Sequence, residues 1–217
     1  MNYKRGLLLL NVIILCIILK FSLYSNFKYT FTKKMDLQDK ISDVIKAANF
    51  AAVKHRQQKR LDPDETPYIN HPIGVANILV AEGKINNSVV IQAALLHDTV
   101  EDTDTTFEEI EKNFGIAVRN IVAEVTDDKT LPKLTRKELQ IEHASTISYE
   151  AKLVKLADKL YNLRDLLRVT PKGWTEERVQ NYFVWASKVV KQMQGTNKEL
   201  EEELKQIFNS RGILLNE

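Results

Sequence analysis

The sequence predicts an all-α single domain. Three observations carry this: apolar residues recur at helical spacing through most of the chain after Met35, alternating strand patterns are nearly absent, and the breaks fall on glycine, proline and capping residues. With 217 residues there is room for one domain with a substantial core and hardly for two. At 44% apolar and 28% charged, the composition is that of a globular chain and not a disordered one.

Taken in order, the spacing predicts helices over residues 37–55, 73–82, 88–100, 107–113, 116–125, 134–143, 150–168, 175–194 and 198–209. The first follows Met35 directly. A polar stretch from Arg60 to Asn70 separates it from the second, which stops at Gly83. The helix after Thr106 opens on a capping box, with Glu109 three residues on, and ends at Gly115. Pro171-Lys172-Gly173 breaks the chain between the helices over 150–168 and 175–194, and Thr196 with Glu199 reads as the cap of the last.

The first 34 residues stand apart. Leu7 to Leu19 is almost uninterrupted hydrocarbon behind Lys4-Arg5, yet short of the roughly 20 residues that span a bilayer. Extending through Lys20 to Tyr24 gives a marginal span. A signal anchor, a cleaved signal and an upstream extension with the start at Met35 all fit. The expected partition is an N-terminal segment, 1–34, and a functional domain, 35–217, facing the cytosol or anchored to a membrane through residues 7–24. Residues 1–34 carry six basic and no acidic side chains, so removing them from the net +2 leaves −4 for the rest. A mildly acidic domain is a poor candidate for broad nucleic-acid binding, while local basic clusters can still hold a small phosphorylated ligand. Cys16 is the one cysteine and lies in the apolar run. Any metal in the globular part must therefore be held by His, Asp or Glu.

Ala93-Ala94-Leu95-Leu96-His97-Asp98-Thr99-Val100-Glu101-Asp102 is the most informative stretch. On a continuous helix His97 would lie near Glu101 and Asp98 near Asp102. An imidazole and three carboxylates so close need a cation or hydrogen-bonded partners, which suggests a metal site beside an acid/base pair. The competing reading is a solvated polar start to the next loop. Two other stretches resist a packing explanation: Pro67-Tyr68-Ile69-Asn70-His71-Pro72, and Lys155-Leu156-Ala157-Asp158-Lys159-Leu160-Tyr161-Asn162-Leu163-Arg164. Trp174, Phe183, Val184 and Trp185 follow helical spacing and are expected in the core.

A histidine, a His-Asp pair and a distant aspartate form the H…HD…D pattern of the HD phosphohydrolases. Residues 35–217 resemble, nearly end to end, the small stand-alone animal homologues of SpoT, which are guanosine 3′,5′-bis(diphosphate) 3′-pyrophosphohydrolases. The resemblance implies a single HD-domain helical bundle in which His71, His97, Asp98 and Asp158 bind one divalent ion, Mn²⁺ in the relatives. It implies Glu101 and Asp102 as the catalytic pair, Arg60 against the guanine, and Asn162 near the ribose and base. Lys133, Arg164, Arg178 and Tyr182 are further candidates for phosphate or nucleoside contact, against a reading as solvated helix surface. Leu61 departs from the family, where a lysine is expected after the arginine. The expected substrate is a small nucleotide. NADPH 2′-phosphatase activity in the same pocket and a catalytically silent, membrane-tethered nucleotide-binding module are the rival readings; oligomeric state stays open.

Overall fold

The computed structural model describes residues 37–215. The chain divides into two units, Met1–Ser42 and Asp43–Glu217, and the second carries the site. The apolar segment within 1–34 lies outside the described residues. Among the described residues no helix is long and apolar enough to cross a membrane. The one β feature among them is an isolated antiparallel bridge between Lys59 and Pro67. The fold is all-α, as predicted.

Helix α1 spans 37–54. There follow α2 (Asn70–Ala81), α3 (Ser88–Leu96), α4 (Thr99–Asp102), α5 (Phe107–Phe114), α6 (Ile116–Val125) and α7 (Lys133–His143), then α8 (Tyr149–Arg168), α9 (Glu176–Lys191) and α10 (Lys198–Ser210). Helix α8 is the axis. Its Leu153, Val154, Leu156, Ala157, Leu160 and Leu163 are almost wholly buried and occupy more than one face, the pattern of a helix enclosed by others. It packs against α2, α3, α6, α9 and α10, and Ser148 caps it by accepting from the Ala151 N–H at 3.2 Å.

Several helix ends differ from the sequence prediction, α9 stopping at Lys191 instead of 194, and two boundaries and one cap differ for a clear local reason. Helix α2 starts at Asn70, ahead of Pro72, because a proline in the first turn lacks only an N–H that has no intrahelical partner there. Helix α3 stops at Leu96 instead of running to 100. The His97 ring takes the Ala94 carbonyl (2.8 Å) and the Thr99 hydroxyl takes the Leu96 carbonyl (2.7 Å), both acceptors that the next turn would use. The cap of α10 is Asn197, whose side chain accepts from the Leu200 N–H at 3.0 Å, while the Thr196 hydroxyl donates backwards to Met193. Thr106 caps α5 as expected, accepting from Glu109 N–H at 3.2 Å.

Gly74 sets the closeness of α2 to α8. A Cβ built there would lie 2.0 Å from Tyr161 Cε2, and that ring packs on His71 with centroids 4.9 Å apart. Gly74→Ala should therefore destabilise the protein by about 1–3 kcal/mol through overpacking, although alanine is the better helix former by up to about 1 kcal/mol. Thermal unfolding checks this; a melting temperature at or above wild type would mean that Tyr161 swings aside without cost.

Candidate active site

The helix break and the long axis together assemble the site. His71 enters from the first turn of α2, His97 and Asp98 from the turn between α3 and α4, and Asp158 from the middle of α8. The two Nε2 atoms of His71 and His97 lie 3.2 Å apart. Asp98 Oδ2 is 3.4 Å from His71 Nε2 and 3.1 Å from His97 Nε2. On the Asp158 side, Oδ1 is 3.2 and 3.8 Å from the same two nitrogens. Residues separated by up to 87 positions in sequence thus converge, and both histidines are almost fully buried.

Buried charges in such a cluster require partners. Burial works against the Asp98 carboxylate, but His97 and His71 outweigh it and hold its pKa well below the ordinary range. Asp158 is likewise held low against burial, chiefly by Lys159, whose Nζ is 2.9 Å from Oδ2. His97 is raised despite burial because Asp98 and Asp158 face it. The Tyr68 hydroxyl donates to Asp98 Oδ2 at 2.7 Å and the Asn162 amide to Asp158 Oδ1 at 2.6 Å, so both carboxylates are oriented.

This donor set fits a divalent cation. A carbonyl can only accept, so His97 Nδ1 carries its hydrogen toward Ala94, and Nε2, which faces the carboxylates, is the atom that would bind a cation. Donor atoms of His71, His97 and Asp158 all lie within 4.8 Å of one another. Asp98 Oδ2, touching both Nε2 atoms, completes two imidazoles and two carboxylates, a set suited to Mn, Fe or Zn. His71 Nδ1 is buried without a partner among the described residues, so packing on Tyr68 and Tyr161 orients that ring.

The four converge on the floor of a cleft of about 520 Å³, a size suited to a nucleotide. Of the other predicted residues, Glu101, Arg60, Asn162, Tyr182 and the divergent Leu61 line it. Glu101 accepts from the Asp127 N–H at 3.1 Å, and burial raises its pKa above the ordinary value. Arg60 donates to Asn162 Oδ1 (2.8 Å) and Asp165 Oδ2 (2.9 Å) beneath the Tyr68 and Tyr161 rings. Burial pushes the Tyr182 hydroxyl up to about 12.

Asp102 faces elsewhere. It lines a neighbouring hollow with Arg56, Gln58 and Thr103, accepting from Gln58 Nε2 at 2.9 Å and from Lys129. The single helical face imagined for His97 through Asp102 is therefore interrupted, although Asp98 O still receives the Asp102 N–H at 2.9 Å. Arg164 lies outside the cleft lining, bound to both oxygens of Glu82 (2.7 and 2.8 Å) and to Glu203. Arg178 stacks on Trp174, 4.1 Å from the ring centroid, and Lys133 is exposed at the start of α7; neither lines the cleft.

Of the residues expected in the core, Phe183 is there, Trp174 and Trp185 are half-buried, packing against the core while lining the cleft, and Val184 is exposed, which corrects that expectation. Helical spacing identifies an inward face, but not whether that face meets protein or a cavity. Trp185 Nε1 donates to Lys137 O at 3.0 Å, fixing its ring beside Tyr182 (5.2 Å). Sequence reasoning also missed Tyr68, Gln140, Lys155 and Lys159 as cleft residues. A usable signal existed for the lysines: positions 155 and 159 stand one helical turn apart within the largely apolar run from Leu153 to Leu160 that carries Asp158.

The chain's residues 47–187 match the family described as HD domain. A guanosine-3′,5′-bis(diphosphate) 3′-pyrophosphohydrolase MESH1 from Xenopus tropicalis is 68% identical over 170 residues, covering 78% of this chain and 95% of the relative. The protein of that name from Homo sapiens is 66% identical over 174 residues, covering 80% and 97%. A solved structure of a metazoan ortholog of SpoT, described as hydrolysing ppGpp and playing a role in starvation responses, superposes with a TM-score of 0.78 at 57% identity. It covers 79% of this chain and 97% of that one. The chain belongs to the HD-domain family and, within it, to the group of relatives named MESH1.

Proposed function

We propose that this enzyme hydrolyses guanosine 3′,5′-bis(diphosphate), and its pentaphosphate counterpart, releasing pyrophosphate from the 3′ position. The observation that carries the reading is the convergence of His71, His97, Asp98 and Asp158 beneath a nucleotide-sized cleft, in a chain about two-thirds identical to relatives named for that reaction. These four residues would hold one divalent ion, Mn²⁺ by preference. When bound, the ion supplies Lewis acidity toward phosphoryl oxygens and water.

The chain's own groups do the rest. Glu101, at the cleft wall, takes the proton of the attacking water, whose oxygen forms the new P–O bond. The P–O3′ bond breaks, its electron pair stays on O3′, and O3′ takes up a proton, leaving GDP and pyrophosphate. Asp102 supports Glu101 from the neighbouring hollow, where Gln58 and Lys129 hold it. Arg60 packs on the guanine, as a planar guanidinium does, and Asn162 ties that contact to Asp158. Tyr182 keeps an assignment to phosphate or nucleoside from the cleft wall, while Lys133, Arg164 and Arg178 lie beyond the cleft lining.

Neither rival is favoured. The relatives are named for the guanosine substrate and not for NADPH, and an intact metal-ligand set argues against a silent module. The test is incubation of the purified full chain with Mn²⁺ and guanosine 3′,5′-bis(diphosphate), with NADPH in parallel, following GDP and pyrophosphate by ion-exchange chromatography. GDP and pyrophosphate in equal amounts are expected; release of neither sinks the proposal.

A further inference from the structure

Of the four cations that line the cleft among the described residues, Lys59 is exposed and two others are already engaged. Arg60 is held by Asn162 and Asp165, and Lys159 by Asp158. Lys155 is different. It is 7% exposed, lines the cleft beside Glu101, Gln140 and Asp158, and makes no hydrogen bond or ion pair with any described residue. Its surroundings do not neutralise it: Glu101 accepts from the Asp127 N–H and lies near Arg136, Asp127 accepts from Gln140, and Asp158 is taken by Lys159 and Asn162. A buried ammonium without a partner is costly. Burial, aided by Lys159, accordingly lowers its pKa to about 8. Nothing in the packing requires a lysine there, since the helix positions around it are filled by Leu153, Val154 and Leu156.

We infer that Lys155 is a phosphate-contacting residue of the cleft, its ammonium kept unpaired for the oxygens of the diphosphate group that is cleaved. The inference rests on the hydrolase reading for the identity of that group, but its chemistry stands alone. An unpaired cation next to Glu101 and one helical turn before Asp158 marks where an anion would sit. Bound phosphoryl oxygens would supply the hydrogen-bond acceptors that the chain withholds, and their charge would offset the ammonium in a cleft otherwise dominated by carboxylates. A contact of this kind that is stronger to the phosphoryl group under attack in the transition state than in the ground state also favours the transition state.

Lys155→Met and Lys155→Arg test this in the full chain. Binding of inorganic pyrophosphate to the Mn²⁺-loaded protein, followed by calorimetry, is the readout that does not depend on turnover. Lys155→Met is expected to weaken pyrophosphate binding by roughly 10- to 100-fold, the range for a lost charge-assisted hydrogen bond. Lys155→Arg should recover part of it. Metal content should stay at the wild-type level, and the melting temperature should hold or rise, since an unpaired buried charge has been removed. Pyrophosphate binding unchanged in Lys155→Met would overturn the inference. So would a fall in its metal content or melting temperature that accounts for the loss, because Lys155 would then be scaffolding. If wild type binds pyrophosphate through Lys155 yet leaves guanosine 3′,5′-bis(diphosphate) intact, the hydrolase reading fails and the anion contact stands.

Discussion

Asp98→Ala is expected to lower the affinity for Mn²⁺ by at least about 100-fold and to remove turnover, because groups that merely orient metal ligands are already worth roughly 10- to 100-fold. Asp98 Oδ2 faces both histidine Nε2 atoms and accepts from the Tyr68 hydroxyl. Its loss leaves one carboxylate, Asp158, to balance a divalent ion, and that carboxylate is already shared with Lys159. Asp98→Asn separates charge from shape: the amide oxygen can still accept from Tyr68, so the fold should hold while metal is lost. Elemental analysis after dialysis, beside a melting curve, reads both. Wild-type metal content in Asp98→Ala would remove Asp98 from the ligand set.

Glu101→Gln should leave metal content and melting temperature near wild type while lowering kcat by about 10²- to 10⁴-fold, the range for a lost general base. Glutamine can still accept from the Asp127 N–H that positions Glu101, so the substitution removes the proton acceptor and little else. Burial raises the pKa of Glu101 above the usual glutamate value. The sign follows: a base must be ionised, so wild-type activity falls as pH drops through that raised pKa, and the variant should lack this limb. In stability the same shift runs the other way. A carboxyl raised in the folded state contributes stability below its unfolded pKa and loses that contribution as pH rises through the folded one. A variant with wild-type kcat, or one whose acid limb is unchanged, would exclude Glu101 as the base.

The candidate site was legible as a set of residues more than as a geometry. His97-Asp98 and Asp158 stood out as titratable side chains after apolar runs and His71 as one between a loop and a helix, but it was the resemblance to the HD phosphohydrolases that joined the four into one ligand set. Glu101 and Asp102 looked equivalent in sequence, four residues beyond the histidine and the aspartate. They diverge in the fold because His97 and Thr99 turn their side chains onto the Ala94 and Leu96 carbonyls. Helical periodicity cannot register that competition. Arg164 illustrates the converse: its charge invited a phosphate, but Glu82 and Glu203, 82 and 39 positions away, take its guanidinium. Trp174 and Trp185 pack against the core as expected, but that they also line the cleft was not legible, since an inward face looks the same in sequence whether it meets side chains or a cavity.

By itself the sequence determined the helical class and most element positions, because these depend on local spacing and caps, and its resemblance to a known family supplied the four metal-ligand candidates. Only the tertiary structure decided which charges are spent on one another and which remain for a ligand. Arg60, Arg164 and Lys159 are engaged and Lys155 is not. That distinction arises from contacts between distant segments brought within a few ångströms, and burial then makes an unpaired ammonium costly enough to carry functional meaning.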